Sequence, residues 1–400
     1  MKLQEKNKPV DLERNLKEIR AQFPILERCT YLISNSLGAV PRLVQEGLER
    51  YFSLWAEEGV SAWGHEWWEL ARRVGNQVAA VVGAGRDEVT MLTHATQCHW
   101  IALSTQFKTI DPHRKKIIMT DLDFPSSIYA VSQIAEAMGW EVDKVDSSGA
   151  VGLPWERLAE RIDERTLFVA TSHVYFRSAY IQDVAALAAC AREKGALTLI
   201  DAYHAPGTIP VDVKALDVDF YIGGCLKWLC GGPGNAFLYV RPDISRQLAP
   251  GLTGWMAQVA PFDFKQEVEP AQGAYRFMSG TPPVACLYTA PAGLEIIQAI
   301  GIDAIRRKSQ KQTRTIIEWA RSRGYQVFSP EQDERRGGAV SLGLPDAMQV
   351  YKVLEQNGIK VDFRKGRGLE PDVIRIGPHF YTEDFELEHL FTSVESAVSS

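Results

Sequence analysis

From about residue 70 to residue 240, helical periodicity alternates with short, wholly apolar runs, and this alternation constrains the fold more than anything else in the chain. "EWWELARRVGNQVAAVVGA" reads as an amphipathic helix closed by Gly83 and Gly85, and "DVAALAACAREKG" as a helix stopped at Gly195. Between and around them, "VTML", "KKIIMT", "RTLFVATSHV", "ALTLIDAYH", "VDFYIGGC" and "NAFLYV" read as strands. Runs of β-branched and aliphatic residues with no polar face belong to strands buried on both sides. Strands separated by helices pair in parallel. The expectation is an α/β chain around a mostly parallel sheet, with its ligand beyond the carboxyl ends of the strands.

After Pro242 the texture changes. A loop-rich stretch, "GLTGWMAQVAPFDFKQEVEPAQGAYRFMSGTPP", leads to a helix expected from Val284 to Ile300. A further helix, short strands and a last helix from Glu383 make a smaller α+β unit. The expected division is an N-terminal segment (1–49) associated with the small unit, a large domain (50–280) and a small domain (281–400).

Composition narrows the function classes. A net charge of −6 without a basic run gives no reason to expect nucleic acid or a membrane surface as partner. The charged, helix-like start "MKLQEKNKPVDLERNLKEIR" lacks an apolar leader, and no stretch is long enough to span a bilayer. Six cysteines without CxxC spacing argue against zinc and for reduced thiols in the cytoplasm. The Walker pattern is absent, and "VGAGRDEV" lacks the third glycine of a dinucleotide fingerprint.

The chemistry is carried by two stretches. "YIGGCLKWLCGGPGNAFLYV" holds one lysine, Lys227, in an apolar, glycine-flanked setting where an unpaired ammonium is costly. "TLIDAYHAPG" ends a strand on Asp201 and then presents His204. A pyridoxal phosphate enzyme needs a lysine for its Schiff base and a carboxylate to keep the pyridine nitrogen protonated. It also needs backbone amides for the phosphate and a ring against the cofactor face. Ala95 and Thr96 open a helix after "VTML", a natural anion site, and Phe124 follows the "IIMT" strand. Singly, these are a helix cap, a core ring, a solvated acid and a snorkelling lysine. Together, in this order at strand ends, they describe one site.

With those residues in place, the chain resembles the kynureninases, within the fold-type I (aspartate aminotransferase fold) pyridoxal phosphate enzymes related to the class V aminotransferases. "YLISNSLGAVPR", "WWELARRVG", "FPSS", "SHVYFRS", "DAYHAPG", "GGCLKWLCGGPGNAFLYV", "GTPP" and "IRIGPHFY" follow in the family's order. The resemblance implies a seven-stranded, mostly parallel sheet, bound pyridoxal 5′-phosphate and hydrolytic Cβ–Cγ cleavage of a kynurenine-type amino acid to an aromatic acid and alanine. It implies Lys227 as Schiff-base lysine, Asp201 as pyridinium partner, His204 beside the ring and Phe124 stacked on it. Ala95 and Thr96 would hold the phosphate, with Trp255 and Thr281 completing that site from the neighbouring subunit of a homodimer. Arg375 would bind the substrate's α-carboxylate. There are departures: Leu226 stands where the family has tyrosine, Ser127 where it has an acid, Trp228 for a second tyrosine and Cys230 for asparagine. A class V aminotransferase or β-lyase on the same residues is the alternative. A cysteine desulfurase or a non-catalytic regulator that binds the cofactor fits less well. Trp63, His65, Trp67, His99 and Trp100 are candidates for an aryl pocket or for packing alone.

Overall fold

A computed structural model describes residues 10–107, 111–366 and 370–399. Seven strands form the main sheet: β1 (Val89–Leu92), β2 (Lys116–Thr120), β3 (Glu141–Val145), β4 (Thr166–Ser172), β5 (Leu197–Asp201), β6 (Phe220–Gly224) and β7 (Ala236–Val240). Their spatial order is β1-β7-β6-β5-β4-β2-β3, and β7 alone runs against the others. The expected α/β fold with a mostly parallel seven-stranded sheet is what the chain adopts.

Strand β4 shows why these runs carry no polar face. Phe168 and Ala170 pack into one apolar cluster and Val169, between them, into another. On the first side lie helices α2 (Ala95–Ser104) and α3 (Pro125–Met138), through Cys98, Ile101, Leu103, Val131 and Ala135. Helix α1 (Trp68–Val82) buries Leu70, Val74, Val78 and Val82, a ridge of residues four apart, at about 1.5–3 kcal/mol per side chain. It ends where Gly83 turns left-handed at φ 73°.

A second sheet of four strands contains Gln326–Val327, Val340–Gly343, Asp362–Arg364 and Val373–Ile376. The expected strand "IKVDFR" is two pieces: Ile359–Lys360 pairs in parallel with Thr30–Tyr31, and Asp362–Arg364 pairs with Val373–Ile376. The N-terminal segment is thereby tied to the C-terminal one, and Leu32 shares a core with Ile316, Leu342 and Ile374. The helix expected from Val284 to Ile300 is also two, Val284–Leu287 and Ala290–Ile300. Pro291 sits in the first turn of the second piece, where its missing N–H costs nothing. In the break, Thr289 Oγ1 donates to the carbonyl of Gly231 at 2.6 Å, bracing the loop that carries Lys227. No single helix among the described residues is long and apolar enough to cross a membrane; only the Val284–Ile300 and Ile302–Ser322 pair, bent by 85°, reaches that length when joined. Of the charged N-terminal helix expected from sequence, residues 1–9 lie outside the described residues, and Leu16–Arg20 is helical.

Candidate active site

The carboxyl ends of β1, β2, β4, β5 and β6 open on one cavity of about 210 Å³. His94, Ala95 and Thr96 reach it after β1, Phe124, Ser126 and Ser127 after β2, and Ser172, Val174 and Phe176 at the end of β4. Asp201, Tyr203 and His204 come from the end of β5, and Leu226 and Lys227 from the loop after β6. Topology alone therefore gathers Ala95, Thr96, Phe124, Asp201, His204 and Lys227, which are scattered over more than 130 positions of sequence.

Lys227 is held by the shape of its loop. Gly231 N–H donates to Cys225 O at 2.7 Å and Cys230 N–H to Lys227 O at 3.1 Å, with Gly232 and Gly234 at positive φ completing the turn. The N-terminal segment clamps it: Gly38 N–H donates to Leu226 O at 3.0 Å, and a Cβ at Gly38 would lie 2.0 Å from Lys227 O. Only glycine fits that approach. Inside the cavity, Lys227 Nζ lies 2.7 Å from His204 Nε2. It also lies 4.8 Å from the Tyr203 ring centre and 5.5 Å from that of Phe124. Tyr203 has room because position 224 is glycine; a Cβ there would meet its ring at 2.4 Å.

Burial, with the positive charge of Arg375 behind it, brings the Lys227 ammonium down to about 7. Burial and then Lys227 itself push the His204 imidazole well below its ordinary value, so a neutral His204 ring shares this hydrogen bond with Lys227. A lowered lysine pKa means more free amine, and so more nucleophile, at a given pH. In the chain freed of cofactor, reductive alkylation by a small aldehyde should therefore rise through pH 7 and level off by about pH 8 at Lys227, while ordinary exposed lysines keep rising towards about pH 10. Peptide mass spectrometry reads both profiles at once. A Lys227 profile coinciding with the exposed lysines would contradict the lowered value.

Asp201 is 6% exposed. Its carboxylate accepts from Ser127 Oγ at 2.7 Å and from the Tyr203 N–H at 3.0 Å, and among the described residues no cation pairs with it. Helix α2 also starts at the cavity, and the His94 side chain accepts from Gln97 N–H. The N–H groups of Ala95 and Thr96 stand in the first turn, where a helix offers donors to an anion.

Three expected site residues lie off this cavity. Trp255 packs among Trp68, Phe262 and Phe264, and Thr281 is exposed. Arg375 lies immediately behind the wall: it donates to the carbonyl of Phe176, whose side chain lines the cavity, and to Ser36 Oγ at 3.2 Å. It also pairs with Asp362, its cross-strand neighbour, while its Nε is buried without a partner. Of the aryl-pocket candidates, Trp63 and Trp67 stack in a separate cluster with Tyr51 and Trp68, and none of the five lines the cavity. His99 is buried beneath Asp201 in an adjoining small void. Sequence reasoning missed His94, Ser126, Ser172, Val174, Phe176 and Tyr203 as cavity residues. Tyr203 and Phe176 stood inside "DAYH" and "SHVYFR", and their place after strand ends was the available signal.

This donor set fits pyridoxal phosphate: a buried carboxylate with no cation paired to it among the described residues, for a protonated ring nitrogen; a lysine whose pKa is lowered to about 7; an aromatic wall; and first-turn amides for a phosphate. The family description Aminotransferase class-V matches residues 30–371. The chain belongs to that family. Pyridoxal 5′-phosphate, the cofactor of this class V family and of the kynureninases, is this chain's cofactor. Among curated relatives of this class V chain, the kynureninase of Pseudomonas fluorescens is 31% identical over 92% of this chain and 88% of its own length. An uncharacterized aminotransferase of Bacillus subtilis is 30% identical over 96% and 98%. Among solved structures, the cysteine desulfurase of Thermococcus onnurineus superposes with a TM-score of 0.84 at 21% identity, covering 96% of this chain and 98% of that one. That likeness establishes the fold shared with fold-type I enzymes.

Proposed function

We propose that this class V enzyme cleaves the Cβ–Cγ bond of a kynurenine-type amino acid hydrolytically, giving an aromatic acid and alanine. The observation that carries this reading is the cavity wall: Phe124, Phe176 and Tyr203 line it, the first and last with their rings close to Lys227, and none of the six cysteines lines it. Such a wall suits an aryl side chain and offers no thiol for sulfur transfer. The similarity to kynureninases over nearly the whole chain supports it.

Pyridoxal phosphate, when bound, supplies the electron sink for bonds broken at the α-carbon. The chain supplies the rest. Asp201 would accept from a protonated ring nitrogen, Phe124 would supply a ring against the cofactor, and the Ala95 and Thr96 amides would hold the phosphate. Lys227 Nζ, with a pKa near 7, takes the proton from the substrate's α-carbon. Neutral His204, hydrogen-bonded to Lys227 through Nε2, keeps the amine aimed into the cavity. Arg375, held behind the cavity wall by Asp362, Ser36 and the Phe176 carbonyl, would reach a substrate α-carboxylate only by releasing part of that set. Trp255 and Thr281, which do not line their own cavity, complete the phosphate site of the other protomer in a homodimer; exposed Phe262 and Phe264 flank Trp255. Six unpaired cysteines suit a reducing cytoplasm.

Leu226 favours a second reading. It lines the cavity one residue before Lys227 and brings no proton-bearing group. Proton management during carbon–carbon cleavage then falls to other groups, and transamination by the same residues becomes the competing outcome. We expect kynurenine or 3-hydroxykynurenine to yield aromatic acid and alanine slowly, and Leu226→Tyr to accelerate this by on the order of tenfold to a hundredfold. Product analysis over an amino-acid panel, with and without a keto acid, checks it. Turnover that depends on the keto acid and releases no aromatic acid would replace the hydrolase by an aminotransferase.

A further inference from the structure

Ser127 stands at the third position of α3, in the first turn, where a serine ordinarily bonds to its own helix or to water. Its Oγ instead crosses the site to Asp201 Oδ2 at 2.7 Å, joining residues 74 positions apart. Both side chains are buried, Ser127 at 5% exposure. Asp201 Oδ1 meanwhile accepts from the Tyr203 N–H, so each carboxylate oxygen has one donor, and the rotation of the group is fixed. The start of α3 is itself rigid. Buried Asp123, two residues before Pro125, accepts from the Thr120 N–H at 2.9 Å, the Ser172 N–H at 2.7 Å and Ser172 Oγ at 2.8 Å, locking the turn to the end of β4.

We propose that Ser127 is a positioning residue for Asp201: its hydroxyl holds the carboxylate in the one rotation that meets the cofactor's ring nitrogen, so the acceptor is oriented before the cofactor arrives. This rests on the pyridoxal phosphate reading above and adds a specific consequence. Losing the hydroxyl should weaken only ligands that carry the ring N–H.

The test compares equilibrium binding of pyridoxal phosphate and of its deaza analogue, in which carbon replaces the ring nitrogen. The protein is the full chain freed of cofactor, as wild type, Ser127→Ala and Ser127→Thr. Ser127→Ala should weaken pyridoxal phosphate about tenfold, the scale of one charge-assisted hydrogen bond, and leave the analogue's affinity unchanged. Ser127→Thr, which keeps the hydroxyl, should restore the difference. Equal weakening of both ligands would make Ser127 a packing residue, and no weakening of either would make its bond to Asp201 idle; both overturn the proposal. Should Ser127→Ala fail to fold, Ser127→Cys, close in size with a poor donor, carries the same comparison. A wild-type chain that binds neither ligand would overturn the cofactor reading itself, and this inference with it.

Discussion

Replacing Lys227 with alanine should lower turnover by about 10³-fold or more, because the cavity then has no amine to carry the α-proton. The fold should survive. Lys227 makes no salt bridge among the described residues, and its loop is shaped by backbone bonds such as Gly231 N–H to Cys225 O and by the Gly38 contact, neither of which uses the lysine side chain. The companion measurement is borohydride reduction of the wild-type holoenzyme followed by peptide mapping. The cofactor's mass should appear on the peptide containing Lys227 and be missing from the variant. Label on a different lysine, or turnover within tenfold of wild type, would remove Lys227 from the chemistry.

Asp201→Ala should cost about 10²–10³-fold in turnover, the scale of deleting one oriented electrostatic group at a reacting centre. A carboxylate that is buried, bonded by Ser127 and Tyr203 and, among the described residues, without a cationic partner is built to meet a positive charge from outside the chain. Alanine also leaves the Ser127 hydroxyl and the Tyr203 N–H without their acceptor, at about 1–3 kcal/mol for each buried unsatisfied group. Asp201→Asn, nearly isosteric, separates the two effects: its amide oxygen keeps the acceptor for the Tyr203 N–H, the Ser127 hydroxyl can turn to accept from the new amide N–H, and the charge is removed. The expected result is a melting temperature close to wild type with turnover as low as in the alanine variant. Near-normal turnover of the folded asparagine variant would show that the charge of Asp201 is not used.

The residues most legible in the sequence were those at strand ends. Asp201, His204, Phe124 and the Ala95–Thr96 pair could be assigned because an α/β sheet brings the carboxyl ends of its strands to one edge whatever the details of packing. Lys227 was legible for another reason: an ammonium in an apolar run needs an explanation. The residues that were missed share the opposite property. Phe176 and Tyr203 are ordinary aromatics whose role depends on which way the chain turns after a strand, and Tyr203 faces the site only because Gly224 opposite leaves space. The break at Tyr288–Thr289 had one signal, Pro291, which the apolar periodicity running through it outweighed; that the interruption answers to the carbonyl of Gly231 in a distant loop was not legible.

By itself, the sequence determined the α/β class, the strands buried on both faces and the position of the lysine relative to the carboxylate, because these follow from periodicity, burial cost and chain order. Tertiary structure alone decided that Ser127 bonds Asp201 rather than its own helix, that Arg375 shares its guanidinium with Asp362 across two strands, and that the N-terminal segment clamps the Lys227 loop through Gly38. Each of these joins residues whose separation in the chain carries no periodic signal. Their geometry is set only when packed elements fix distances to within a few tenths of an ångström, which is the scale on which hydrogen bonds and ion pairs are made or lost.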